Sequence, residues 1–222
     1  MIRLLIHGHL VIDDYRQYED GAILLDDKHI LEVFVNSNKI NDAYYDEVID
    51  LNNKIVMPKF YDLDLLSSKQ IVVDPLNVKV EENKTIMLGN SKAYSKDVNI
   101  VYDGYYDLFN NMTGFDVSNF GLVNRAFNDY DKYVEVDGSL DINALRIVYK
   151  LIRKDKIILI NDVLNGLRKF KDIGANYNEL LMFSSLNAYR LFKMDKEYGS
   201  LIKGKSGALI VLDNDLKEVA YV

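Results

Sequence analysis

The feature that most restricts the fold is a change of rhythm along the chain. The middle alternates short apolar runs with amphipathic stretches: "KTIMLG", "KYVEVDG", "DINALRIVYKLIRK", "KIILIND". Strand and helix in alternation predict parallel βα units. "DINALRIVYKLIRK" reads as a helix opened by Asp141, with Ile142, Leu145, Tyr149 and Ile152 on one face. "NYNELLMFSSLNAYRLF" reads as a helix with Asn176 as N-cap and Glu179 three residues on. Both ends of the chain differ from this. "AILLDD" and "HILEVFV" predict a hairpin around Asp26, Asp27 and Lys28. "EVIDLNNKIVMP" repeats the pattern with Asn52 and Asn53 at the turn, and "GALIVLD" followed by "LKEVAYV" does so again. The expected fold class is therefore α/β. Residues 1–57 together with 199–222 are expected to form one small antiparallel β-sandwich, and residues 58–198 a separate domain of βα units.

Composition narrows the function. The chain has 222 residues, enough for a real core, and a formal charge of −7. Basic residues cluster only briefly, as in "LIRKDK" and "LRKFK", so no basic face for nucleic acid is expected. No run nears the roughly 18 apolar residues of a membrane span, and no signal peptide is read at the N-terminus. There are no cysteines, which excludes thiolate chemistry and Cys-type zinc sites and fits a cytoplasmic protein. There are three histidines, and His7 and His9 lie one residue apart in "LIHGHL". A zinc site normally takes three or four protein ligands. The expectation is therefore two partly exposed histidines on one strand face, without a metal.

In open parallel sheets and barrels the chemistry sits at the carboxyl ends of strands. Polar oxygens follow the central strands in order: Asp62 and Asp64, Asn90, Asp107 and Asn110, Asp137, then Asn161 and Asp162. Each is also an ordinary helix cap or turn former.

The same segments carry a resemblance. "KIVMPKFYDLDL" resembles the first barrel strand of the amidohydrolase superfamily, Pro-Gly-Phe-Ile-Asp-x-His-x-His. "IMLGNSKA", "YYDLFNNMTGF", "VDGSLDINALRIVYK" and "LINDVL" resemble, in order, four motifs of N-acetylglucosamine-6-phosphate deacetylases. Those are Gly-His-Ser-x-Ala, Thr-His-Leu-Phe-Asn-Ala-Met, Asp-Gly-x-His and Leu-Val-Thr-Asp-Ala-Met. The tail "SSLNAYRLFKMDKEYGSLIKGKSGALIVLD" resembles the family's last helix and its return to the sandwich. The resemblance covers both ends and most of residues 84–222. It implies a TIM-like (β/α) barrel beside the sandwich, and metal-assisted hydrolysis of N-acetylglucosamine 6-phosphate to glucosamine 6-phosphate and acetate.

Carried over position by position, the resemblance implies a damaged site. The catalytic aspartate falls on Asp162. The metal histidines fall on Asn90 and Asp107, and those of the first strand on Asp64 and Leu66. The carbonyl-contacting histidine falls on Leu140, and the phosphate arginine near Ser118. Asn110, and Asn111 beside it, remain as substrate-binding candidates. The span 58–198 holds about six candidate strands, short of the eight and the roughly 250 residues of a closed barrel. The expectation is an incomplete barrel and a deacetylase-like protein without that activity, and without a cofactor. Two alternatives stand beside it. One is a hydrolase with a metal site rebuilt from Asp64, Asn90 and Asp107, its oxygen donors suited to Mg or Mn, with Zn the family's other choice. The other is a non-catalytic module for a small amino-sugar phosphate. An open barrel edge would favour a homodimer or pairing with a full-length relative.

Overall fold

The computed structural model describes residues 1–40, 45–61, 86–88, 134–160, 162–191 and 193–221. The chain divides into two compact units: a terminal unit of residues 1–61 with 176–222, and a central unit of residues 62–175. Among the described residues no helix is long and apolar enough to cross a membrane.

The terminal unit is built on one seven-stranded sheet to which both ends of the chain contribute. Its strands are β1 (Arg3–Val11), β2 (Gln17–Leu25), β3 (Ile30–Phe34), β4 (Glu47–Asp50), β5 (Ile55–Pro58), β9 (Leu209–Leu212) and β10 (Glu218–Tyr221). The order is β10-β9-β5-β1-β2-β3, with β4 also on β1. Leu5, Leu10, Ile23, Leu25, Ile30, Val56, Leu209 and Val211 form a contiguous apolar core with Leu51 and Leu201. The β2–β3 hairpin forms where expected, closed by Asp26 N donating to His29 O at 3.0 Å. The β9–β10 hairpin closes likewise, with Asp213 N on Lys217 O at 2.9 Å.

The expected hairpin around Asn52 and Asn53 does not form. β4 and β5 both run parallel to β1, one after the other along the same edge. Ile6 faces Asp50, whereas His9, three residues on, faces Ile55. The two extra residues are taken up by Asn52 and Asn53, both at positive φ, and by His7 across from them at φ 56°. Asn53 N donates to His7 O at 2.7 Å across this jog. Gly8 lies at its centre, where a Cβ would come within 2.8 Å of Leu51 Cδ1. The Asn pair was a sound turn signal, but it turned the chain along β1 instead of back on itself. The sheet is accordingly mixed, not antiparallel throughout.

The stretch from Asn176 is helical as expected, with a full capping box: Asn176 Oδ1 accepts from Glu179 N at 3.0 Å, and Glu179 Oε2 from Asn176 N at 2.9 Å. It runs as α3 (Tyr177–Leu181), a π-helical segment Met182–Leu186, and α4 (Asn187–Leu191). The wider π turn leaves Ser184 O to accept from Tyr61 N at 3.1 Å, while Ser185 Oγ donates to Lys59 O at 3.2 Å. Asn178 Nδ2 donates to Asp13 O and Arg16 O, tying α3 to the β1–β2 turn.

Among the described residues the central unit has three parallel strands in the order β6 (Ile86–Leu88), β7 (Val134–Asp137), β8 (Ile157–Ile160). α1 (Ile142–Leu151) crosses from β7 to β8, and α2 (Val163–Asp172) follows β8. Asp141 caps α1, its Oδ1 accepting from Asn143 N and Ala144 N. The buried face of α1 is Ala144, Leu145 and Val148, with Ile152 at its C-cap; Ile142 and Tyr149 are only partly covered. α2 sits close on β8 at Gly166, where a Cβ would meet Leu159 Cδ2 at 2.8 Å and Gly138 Cα at 2.9 Å.

Candidate functional site

Two carboxylates mark the carboxyl ends of β7 and β8. Asp137 closes β7 opposite Ile160, and Gly138 N donates to Ile160 O at 2.8 Å. Asp137 is 4% exposed, and its Oδ1 accepts from Ser139 N at 2.8 Å, so it folds the chain back immediately after the strand. Asp162 follows β8 at the N-cap of α2. Its backbone is left-handed, φ 33° and ψ 46°, and its side chain makes no capping bond. Such a backbone costs an L-residue about 1–2 kcal/mol, least for Asn or Asp. Strain of this kind gathers at functional positions. The exposed carboxylate is held from the side by Asn165, whose Nδ2 donates to Oδ2 at 2.8 Å.

The loop between β7 and α1 is fixed by one residue of α2. Lys169 Nζ donates to Gly138 O at 3.1 Å, Ser139 O at 3.3 Å and Leu140 O at 2.7 Å. Leu140 is 7% exposed. The position to which the resemblance assigns a carbonyl-contacting histidine thus carries a buried apolar side chain. Lys169 was not singled out from the sequence. Its run "LRKFK" reads only as a short basic cluster, and its acceptors are loop carbonyls 29 to 31 residues away.

Of the positions the sequence marked for chemistry, Asp137, Leu140 and Asp162 are described. Asp64, Asn90, Asp107, Asn110, Asn111 and Ser118 lie outside the described residues. Among the described residues no group of three or more His, Asp or Glu is placed to hold a metal.

The histidines of the opening strand are engaged locally. His7 Nδ1 lies 2.9 Å from Asp20 Oδ1, and His7 N donates to Ser37 Oγ at 2.9 Å. His9 Nε2 lies 3.2 Å from Gln17 Oε1, and its ring meets Tyr177 edge-on at 4.9 Å. The irregularity at His7 breaks the simple alternation from which one shared face was expected.

No family model matches the chain, and no curated protein matches it by sequence. Solved structures do match. An N-acetylglucosamine-6-phosphate deacetylase from Pasteurella multocida aligns with a TM-score of 0.63 at 9% identity, covering 100% of this chain and 98% of that one. A β-aspartyl dipeptidase from Fervidobacterium islandicum AW-1 aligns with 0.62 at 11% identity, covering 100% and 95%. The N-acetylglucosamine-6-phosphate deacetylase of Thermotoga maritima aligns with 0.56 at 12%, covering 99% and 97%. At these identities the likeness is one of fold: the chain is a mixed α/β protein whose fold resembles that of these deacetylases and this dipeptidase.

Proposed function

We propose that the chain is a degenerate N-acetylglucosamine-6-phosphate deacetylase-like protein that does not catalyse the deacetylase reaction. In this reading residues 58–198 form a truncated (β/α) barrel domain, and residues 1–57 with 199–222 a small sandwich. The observation that carries it is Leu140. It is buried and anchored through its carbonyl by Lys169. A leucine there can neither donate to an acetyl carbonyl nor ligate. Losing one such polarising donor costs about 10²–10³ in rate. The replacements at Asn90 and Asp107, and the change at Ser118, act in the same direction.

Asp162 favours a second reading. Its strained backbone and uncapped carboxylate are retained at the place where the resemblance puts a general base. With Asp64, Asn90 and Asp107 it would make an all-oxygen set suited to Mg²⁺ or Mn²⁺. A metal bound there would supply an activated water and polarise the substrate carbonyl. Asp162 itself would hold the proton, on the oxygen not engaged by Asn165. Asn110 and Asn111 are the candidates for holding a sugar phosphate in a module that binds without turnover.

One experiment separates these readings. Purified protein is assayed for metal content, and for acetate release from N-acetylglucosamine 6-phosphate with added Zn²⁺, Mn²⁺ or Mg²⁺, beside the Asp162→Asn variant. No turnover and no stoichiometric metal is the expected result. Turnover that disappears in the variant sinks the leading reading and establishes the rebuilt site. Size-exclusion chromatography with light scattering tests the accompanying proposal of a homodimer, or of pairing when a full-length relative is added; the proposed cytoplasmic location is tested by cell fractionation.

A further inference from the structure

The terminal unit contains a cavity of about 740 Å³ between the β2–β3 turn and the chain leading into β9. That volume is typical of small-molecule sites, at about 300–1,000 Å³. The charged side chains described in its lining are Arg3, Lys28, Asp27 and Glu197, with His29, Tyr198 and Ser206 among the polar ones. Its walls are clasped backbone: Gly207 N donates to Lys28 O at 2.8 Å, Ile30 N to Lys205 O at 2.8 Å and Gly204 N to Ile30 O at 2.7 Å. A site whose walls are already fixed loses little freedom when a ligand enters.

The charges in this cavity are not spent on one another. Arg3 Nε is buried without a hydrogen-bond partner. Arg3 itself lines the cavity, and its guanidinium is a planar fork of donors suited to a carboxylate or phosphate. Lys28 and Glu197 form no ion pair in the described residues, whereas Asp27 is engaged by the Met1 amine at 2.9 Å. Ser206 Oγ accepts from Ala208 N at 3.3 Å, which leaves its hydroxyl proton to donate. We propose that this cavity binds a small zwitterion, with its phosphate or carboxylate group at Arg3 and Lys28 and its ammonium group at Glu197. A simple anion would meet the Glu197 carboxylate unscreened, and a simple cation would meet Arg3. A ligand carrying both signs satisfies each. This site is separate from the strand-end carboxylates of the central unit, and its test reads binding, not turnover.

Isothermal titration of the full chain with four probes tests it: O-phosphoethanolamine, inorganic phosphate, ethanolamine and L-serine. Phosphoethanolamine is expected to bind at least about tenfold more tightly than phosphate or ethanolamine alone, the worth of one added charge-assisted contact. Serine binding as tightly identifies the anion as a carboxylate, and serine binding weakly identifies it as a phosphate. Arg3→Met, Lys28→Met and Glu197→Gln should each weaken binding of the favoured probe about tenfold or more. Lys28 and Glu197 are exposed, so these two variants keep the test open if Arg3→Met fails to fold. No heat with any probe overturns the proposal. So does phosphate binding as well as phosphoethanolamine, or parental affinity in Lys28→Met and Glu197→Gln.

Discussion

The two units are assembled on opposite plans. The terminal unit joins hairpins of consecutive strands through pairings distant in sequence: β5 pairs with β9, and β1 collects β4 and β5 as well as β2. In the central unit the described elements follow one another along the chain, β7, α1, β8, α2, with β8 beside β7 and α2 against both β8 and α1. The terminal unit spends its polar side chains on closing turns. Asp13, Asp26 and Asp213 each accept from two backbone amides in their own loops. The central unit uses Asp137 and Asp141 in the same way but leaves Asp162 uncapped and strained. Asp162 thus departs from the turn-closing role that Asp137 and Asp141 keep.

The strongest break of this comparison is Phe170→Ala. The ring is fully buried in the central unit, and its loss should cost about 3–5 kcal/mol. Hydrogen exchange should quicken in α1, β7, β8 and α2 and stay unchanged in β1, β2 and β5. An equal rise in β1 would show that the two plans belong to a single cooperative unit. Lys169→Met removes the donor to three loop carbonyls and should cost about 1–3 kcal/mol in a denaturant titration. A cost below about 0.5 kcal/mol would mean that the carbonyls find other donors easily. Asp162→Gly should raise stability by about 1 kcal/mol by relieving the left-handed backbone. A loss of stability would place the value of Asp162 in its bond to Asn165.

The smallest effect concerns pH. The amides of Lys28 and His29 hold the Asp26 carboxyl below its ordinary value. A folded pKa below the unfolded one gives a contribution present above about pH 3.9 and lost as pH falls through the folded value. The amides of Lys28 and His29 should therefore lose exchange protection in acid below about pH 4, and Asp26→Asn should remove that dependence.

Local chemistry was legible in the sequence. The Asn176–Glu179 capping box, the Asp141 cap and the turn at Asp26 each involve residues within three positions, and each stands where it was read. Long-range choice was not legible. Asn52 and Asn53 announce a turn, but only the presence of β1 decides that β4 and β5 lie end to end along it. The helix over 177–191 could be read from its period, whereas the π segment at 182–186 answers to Tyr61 N, more than a hundred residues earlier. At the candidate site, Asp162 was marked by its place after an apolar strand, but its left-handed backbone has no sequence signature. Lys169 escaped notice because loop carbonyls carry no residue identity. Asp64, Asn90, Asp107, Asn110 and Asn111 rest on motif order alone.

The pairing of β5 with β9 also sets a timetable. Ile55 meets Leu212, and the intervening chain must be synthesised before that edge of the sheet can close. At about 5–20 residues per second this takes roughly ten to thirty seconds, during which β5 waits with its outer edge unpaired. The central unit can gather its consecutive strands and helices in the meantime. A nascent chain stalled before residue 209 would therefore present an apolar strand, "IVMP", to whatever offers a matching edge, a chaperone or a second nascent copy.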